Sequence, residues 1–194
     1  MKYTSYILFV LFIVISILFL KSALKPEDIP QQITGTSKCE TCHSLKNLGN
    51  QQKAWEESKH SNAYFTLLSD KAKSFARSKG LESPENNKLC LKCHTTIGYL
   101  DLKDADPAYD KNEGVGCEAC HGAGSRYSPA EIMKDEDLFI KNGGIKGNEE
   151  TCLKCHSKKG GKPNNEISEN VCPFQEKDFN YKLYFEKIIH PVSK

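Results

Sequence analysis

The sequence predicts a mainly α-helical fold of short helices and loops, preceded by an apolar N-terminal helix, and three observations predict it. The chain has 194 residues and a negative mean hydropathy despite a strongly apolar N-terminus, so the remainder is poor in core-forming residues. No run alternates apolar and polar residues convincingly enough to read as a strand. The run Cys-x-x-Cys-His occurs four times, and each copy fits one helical turn. A soluble segment this lean buries too little apolar surface to fold on side chains alone. Something other than side chains fills its middle.

The first element is the apolar one. "MKYTSYILFVLFIVISILFLKSALKPEDIP" has an early Lys2, then runs from Ile7 to Leu20 with Ser16 as its only polar residue, and Lys21 ends the run. That length suits the h-region of an export signal and is short for a membrane span. Residues 3–6 and snorkelling lysines lengthen it enough for a short span. Lys21, two positions before Ala23, weakens a small-residue cleavage pattern, and no cysteine follows directly to take a lipid. The expectation is an exported protein, in the periplasm or on the outer face of the cytoplasmic membrane. Its residues 1–25 are read as a signal peptide or an N-terminal membrane anchor, with the uncleaved anchor favoured.

The soluble part, residues 37–191, reads as one domain. "NQQKAWEESKHSNAYFTLLSDKAKSFARSKG" predicts a long helix closed by Gly80. "SPAEIMKDEDLFIKNGG" predicts a second, with Ser128 as cap, Pro129 in the first turn, Glu131 completing a capping box, and Gly143 and Gly144 as the stop. "EETCLKCH" predicts a short helix, and "NYKLYFEKIIHPV" a C-terminal helix stopped by Pro191. Residues 98–116 and 157–175 read as loops.

The repeated run carries the chemistry. "CETCH" gives Cys39, Cys42 and His43; "CLKCH" gives Cys90, Cys93 and His94. "CEACH" gives Cys117, Cys120 and His121; a second "CLKCH" gives Cys152, Cys155 and His156. By chance roughly 0.01 such motifs are expected in a chain of this composition. Disulfides do not require the histidine, and a two-residue gap strains a bridge. Zinc sites draw their histidines from elsewhere. Iron–sulfur clusters want further cysteines. The run is the attachment signature of c-type haem. Cysteines at i and i+3 share a helix face and form thioethers with the two vinyl groups, and the histidine at i+4 on that face ligates the iron. Four covalently bound haem c groups are therefore expected, with the polypeptide wrapped around them. The formal charge of +2 leaves out the haem propionates, so the lysines read as propionate partners and a solvated surface. No basic patch with interleaved aromatics points to nucleic acid. The ninth cysteine, Cys172 in "ENVCPFQ", is assigned no role.

Ligand counting sharpens this. Full histidine ligation of four irons needs eight histidines, and the chain has six. Beyond the motif histidines there remain His60 and His190, both favoured as distal ligands. Met133, the one internal methionine, is the next candidate, with simple packing as the competing reading. At least one iron is left without a strong sixth ligand.

Across residues 37–191 the chain resembles the tetrahaem cytochrome c-554 family, electron acceptors of hydroxylamine oxidoreductase. The residues that carry the resemblance are "CETCH" followed by "AWEESKHSNAY", then "GVGCEACHGAG", then "FEKIIHP". The resemblance implies a Trp-x-x-Ser-x-His element at Trp55, Ser58 and His60, with His60 as a distal ligand, and a second distal ligand at His190. The family's third distal histidine follows the third motif. Here "SRYSPAEIM" holds no histidine, and Met133 is the nearest substitute. The resemblance also implies a five-coordinate haem on Cys90, Cys93 and His94, and a mainly α fold with haems in close stacked pairs.

Two function classes follow. The favoured one is a carrier that passes single electrons between redox partner proteins, attached to the membrane through its N-terminal segment if that is uncleaved. The other is a small redox enzyme acting on a nitrogen oxide or hydroxylamine at an open five-coordinate haem. An open iron alone does not make an enzyme, and no Cys-x-x-Cys-Lys site is present. A structural or nanowire subunit is a third reading, and such polymers want full bis-histidine ligation.

Overall fold

The computed structural model describes residues 28–102, 105–156 and 179–190. The chain divides into two units, residues 1–30 and 31–194, and the fold described belongs to the second. The expected N-terminal signal or anchor, the loop at 157–175 and Cys172 lie outside the described residues. Among those that are described, no helix is long and apolar enough to cross a membrane.

The described residues form eleven α-helices: α1 (Thr36–His43), α2 (Gln51–Glu56), α3 (Ala63–Leu67), α4 (Asp70–Ser78), α5 (Lys88–His94), α6 (Thr96–Leu100), α7 (Cys117–His121), α8 (Ala130–Met133), α9 (Glu136–Lys141), α10 (Glu149–His156) and α11 (Tyr181–Ile188). Two 3₁₀ turns, Lys46–Leu48 and Lys111–Glu113, and one isolated parallel bridge between Ile33 and Ala105 complete the regular structure among these residues. The mainly α class expected from sequence is the observed one. Helix α7 packs between α1 and α6, and α5 lies against both α3 and α6.

The expected long helix over 50–80 is three helices. Its serines break it, because their hydroxyls compete for backbone groups. Ser58 Oγ accepts from the His60 amide at 3.2 Å, and Ser61 Oγ donates to the Ser58 carbonyl at 2.9 Å, so the chain turns between α2 and α3. Ser69 Oγ accepts from Ala72 N and starts α4. The stop at Gly80 is as expected: it takes φ +65°, and Leu81 N reaches back to the Ala76 carbonyl.

The segment 128–144 also divides. Ser128 does not cap it; Pro129 precedes α8 and no side chain caps that helix. Asp135, whose carboxylate accepts from Leu138 N at 2.9 Å, opens α9 instead. The Gly143–Gly144 stop holds, with Gly144 N bonded to the Phe139 carbonyl. The stretch expected as loop from 98 begins inside α6, which runs to Leu100. The short helix over 149–156 and the C-terminal helix are where the sequence puts them, the latter capped by Asn180.

The core is thin. Eight apolar residues are buried among the described ones, namely Ile33, Tyr64, Leu67, Ala76, Ala119, Ala123, Tyr127 and Ile132, and three of these are alanines. Ten large apolar side chains are exposed, Phe65 at 52 % and Leu183 at 50 % among them. A polypeptide with more large apolar groups outside than inside has interior surface left for another apolar body to cover.

Candidate cofactor site

Each Cys-x-x-Cys-His run occupies the last turn of its helix, and in all four helices the histidine is the final helical residue. The two cysteines and the histidine thus lie on one face of one turn. All eight motif cysteines are free thiols, with no disulfide among them. Among the described residues no group of three or more His, Cys, Asp or Glu side chains is placed to hold a bare metal ion. The zinc reading therefore has no geometric support.

The motif histidines are oriented for ligation. His43 Nδ1 meets Gln51 Oε1 at 3.1 Å, His94 Nδ1 meets the Ala63 carbonyl at 2.8 Å, and His121 Nδ1 meets the Ile145 carbonyl at 3.0 Å. An acceptor on Nδ1 fixes the proton there and leaves Nε2 with a free lone pair, the form that ligates a metal.

The two further histidines expected as ligands each face a motif histidine. The His60 and His156 rings have centroids 6.1 Å apart at 72°, and the His121 and His190 rings 5.9 Å apart at 49°. A histidine–metal bond of about 2 Å puts each ring centre about 3 Å from the metal, so two rings flanking one iron have centres about 6 Å apart. Both pairs match that span. Burial, and then the nearby His156, lower the pKa of His60; burial also lowers that of His121, with His190 and His43 adding to it. Both imidazoles are held in the neutral form that ligation requires. Among the described residues, the buried His190 Nδ1 meets no hydrogen-bond partner, an orphan atom of the kind a missing partner explains. The residues fit the group that the motifs imply.

The thiols also interact across motifs. Cys39 Sγ donates to the Gly35 carbonyl at 3.6 Å, and the interaction between Cys39 and Cys117 raises the pKa of the first and lowers that of the second. The interaction between Cys155 and Cys93 likewise raises the first and lowers the second. Burial and then Cys152 push the Cys120 thiol up to about 11. Thiols of the first and third motifs, of the third and fourth, and of the fourth and second thus act on one another electrostatically. Thioether formation suits such a cluster, because it removes thiols whose ionised form is costly to bury.

The Trp-x-x-Ser-x-His element holds His60 against the third motif's approach loop. Trp55 Nε1 donates to the Val115 carbonyl at 2.9 Å, and Val115 N donates to the His60 carbonyl at 3.0 Å. Gly114, at φ +74°, lets this contact close: a Cβ there would stand 2.5 Å from the His60 carbonyl oxygen. Met133, the other candidate ligand, ends α8 with 38 % of its surface exposed, next to the buried Ile132.

Sequence reasoning missed the groups that hold the motifs together. Glu118, inside "CEACH", is 1 % exposed. Its carboxylate accepts from Thr34 N at 2.9 Å, Gly35 N at 2.8 Å, Thr34 Oγ1 at 3.2 Å, and Gly124 N. Glu113 accepts from Thr36 N and Oγ1 at 2.9 and 2.8 Å. Two carboxylates thus satisfy the N-terminus of α1, where they also favour the helix dipole, and bind it to α7. A lone charge in the small-residue run "GVGCEACHGAG" was the available signal. Phe179, stacked on His156 at 4.6 Å and 17°, carried no signal in the sequence.

Comparison with known proteins agrees with this geometry. Residues 38–122 match the family model described as cytochrome c554 and c-prime. The chain is 27 % identical over 179 residues to cytochrome c-554 of Nitrosomonas europaea, an alignment covering 82 % of this chain and 72 % of that one. No solved structure matches. Repeated motif helices, imidazoles fixed at Nδ1 and these two matches together make the chain similar to the cytochrome c-554 family, over residues 38–122 by the family model and over 82 % of its length by the Nitrosomonas protein.

Proposed function

We propose that the protein is an exported tetrahaem electron carrier, with residues 37–191 as its cytochrome domain and residues 1–25 as signal or anchor. Haem c supplies a one-electron iron couple buried in protein. The chain's residues do the rest. Cys39 and Cys42, Cys90 and Cys93, Cys117 and Cys120, and Cys152 and Cys155 are the covalent attachments. His43, His94, His121 and His156 are the proximal ligands. His60 is the distal ligand opposite His156, and His190 the one opposite His121. His94 keeps an open position.

The observation that carries this reading is the pair of histidine couples at the separation two imidazoles need around one iron. The thiol interactions support an order in space of first, third, fourth and second motif, which differs from their order in sequence. Electrons enter and leave at the ends of that row, from donor and acceptor proteins outside the cytoplasm. Among the described residues, the Nδ1 acceptors of His43, His94 and His121 are amide groups, with the Thr66 hydroxyl also at His94, and such neutral partners suit an iron that only carries electrons.

The test is a count. Intact mass of the mature protein should exceed the polypeptide by four haems that survive acid-acetone extraction, and reductive titration should consume four electrons per chain. Three or fewer of either would refute the tetrahaem reading. Rapid turnover of hydroxylamine, nitrite or nitric oxide would refute the carrier.

A further inference from the structure

The two couples use up the spare histidines, and what they leave over is informative. All six histidines lie among the described residues. His60 is taken by His156 and His190 by His121. His43 and His94 face no other histidine ring. They belong to the first and second motifs. The third and fourth motifs are the ones whose histidines are paired.

We propose that the first motif, with Cys39, Cys42 and His43, is a second open haem site, so that the first and second motifs each offer a position for a neutral diatomic ligand. This rests on the tetrahaem reading above and extends it. The ligand class follows from the acceptors on Nδ1. His43 has the Gln51 side-chain amide at 3.1 Å; His94 has the Ala63 carbonyl at 2.8 Å and the Thr66 hydroxyl at 3.0 Å. A carboxylate acceptor would draw the proton and make the imidazole a stronger donor. Neutral acceptors leave it neutral, which suits reversible binding of carbon monoxide or nitric oxide to ferrous iron. Cleavage of an O–O bond wants an electron-rich axial ligand instead. Among the described residues, a competing ligand is Met133. Ile132, 4 % exposed, turns its side of α8 into the protein, and Met133, the next residue round the helix, is 38 % exposed.

The experiment uses the full holoprotein, with haem content first fixed by mass so that a failed haem count is separated from a failed site. Carbon monoxide titration of the ferrous protein should reach two ligands per chain. Resonance Raman of the ferrous, ligand-free protein should show iron–histidine stretching from two five-coordinate haems. Gln51→Glu, which puts a carboxylate on His43 Nδ1, should shift one of those two bands upward and leave the other in place. Met133→Ala should leave the carbon monoxide count at two. A count of one, with no band responding to Gln51→Glu, would overturn the proposal. A count that rises from one to two in Met133→Ala would overturn it too and would name Met133 as the ligand.

Discussion

His60 lies in the turn between α2 and α3 and His156 ends α10, yet their rings face each other at 6.1 Å between centroids. The same relation joins His121 and His190 at 5.9 Å. If each pair flanks one iron, His60→Ala turns one low-spin haem high-spin, and His190→Ala turns a different one. The double variant has no bis-histidine haem left. Optical and paramagnetic resonance spectra of the three variants read this directly. Identical low-spin content in all three would show that neither histidine ligates.

The two couples differ in twist, 72° at His60 and His156 against 49° at His121 and His190. Crossed imidazole planes give a more anisotropic low-spin signal than aligned ones. One of the two low-spin haems should therefore show the larger principal g value, and it should be the one lost in His60→Ala. Phe179 lies flat on the His156 ring and stacks in turn on Tyr184 at 5.3 Å, so it fixes that plane. Phe179→Leu should shift this signal and leave haem content and the second low-spin signal unchanged. A spectrum identical to wild type would mean that packing elsewhere orients His156.

Glu118 is the buried tie between α1 and α7. Hydrogen bonds to a charged group contribute about 1.5–3 kcal/mol each, and orphaned buried donors cost more. Glu118→Ala, which strands Thr34 N, Gly35 N and Gly124 N, should lower unfolding free energy by about 3 kcal/mol or more. Glu118→Gln, which faces those same donors with a donor of its own, should cost about 2 kcal/mol. Denaturant unfolding of the holoprotein measures both. A loss under half a kilocalorie in each would remove Glu118 from the fold's main supports.

Gly114 and Trp55 act together on His60. Gly114→Ala meets both a backbone at φ 74° and ψ −131°, far from the regions L-residues favour and costing about 1–3 kcal/mol, and the His60 carbonyl. Trp55→Phe loses the bond to Val115, worth about 1 kcal/mol. Each should destabilise the protein by that order and raise the high-spin fraction of the haem that His60→Ala affects. Loss of stability with an unchanged spin state would limit their role to packing.

The legible parts of this molecule were those governed by short-range rules. A cysteine, a cysteine and a histidine at i, i+3 and i+4 share a face on any helix, so the four motifs could be placed before any fold was known. The stops at Gly80 and at Gly143–Gly144 were readable because few residues adopt those backbone angles cheaply. The breaks in the long helix were not read. Ser58, Ser61 and Ser69 are tolerable in a helix by propensity, and their hydroxyls take up turn and cap bonds instead, at 58–61 alongside the tertiary contact of His60 with Val115. Asp135 outcompeted Ser128 as a cap for a similar reason: the buried Ile132 and Tyr127 fix where the chain turns.

By itself the sequence determined the four Cys-x-x-Cys-His turns, the mainly helical class and the count of six histidines, since all three follow from residue types and their local spacing. Only the tertiary structure decided which histidine faces which, because segments distant along the chain bring His60 to His156 and His121 to His190. The same holds for Glu118. Its position inside a motif looks free for any residue, yet folding delivers the backbone amides of Thr34 and Gly35 to it. A buried carboxylate then becomes favourable because it is fully hydrogen-bonded. Ligand identity is a property of local spacing; ligand pairing is a property of the packed chain.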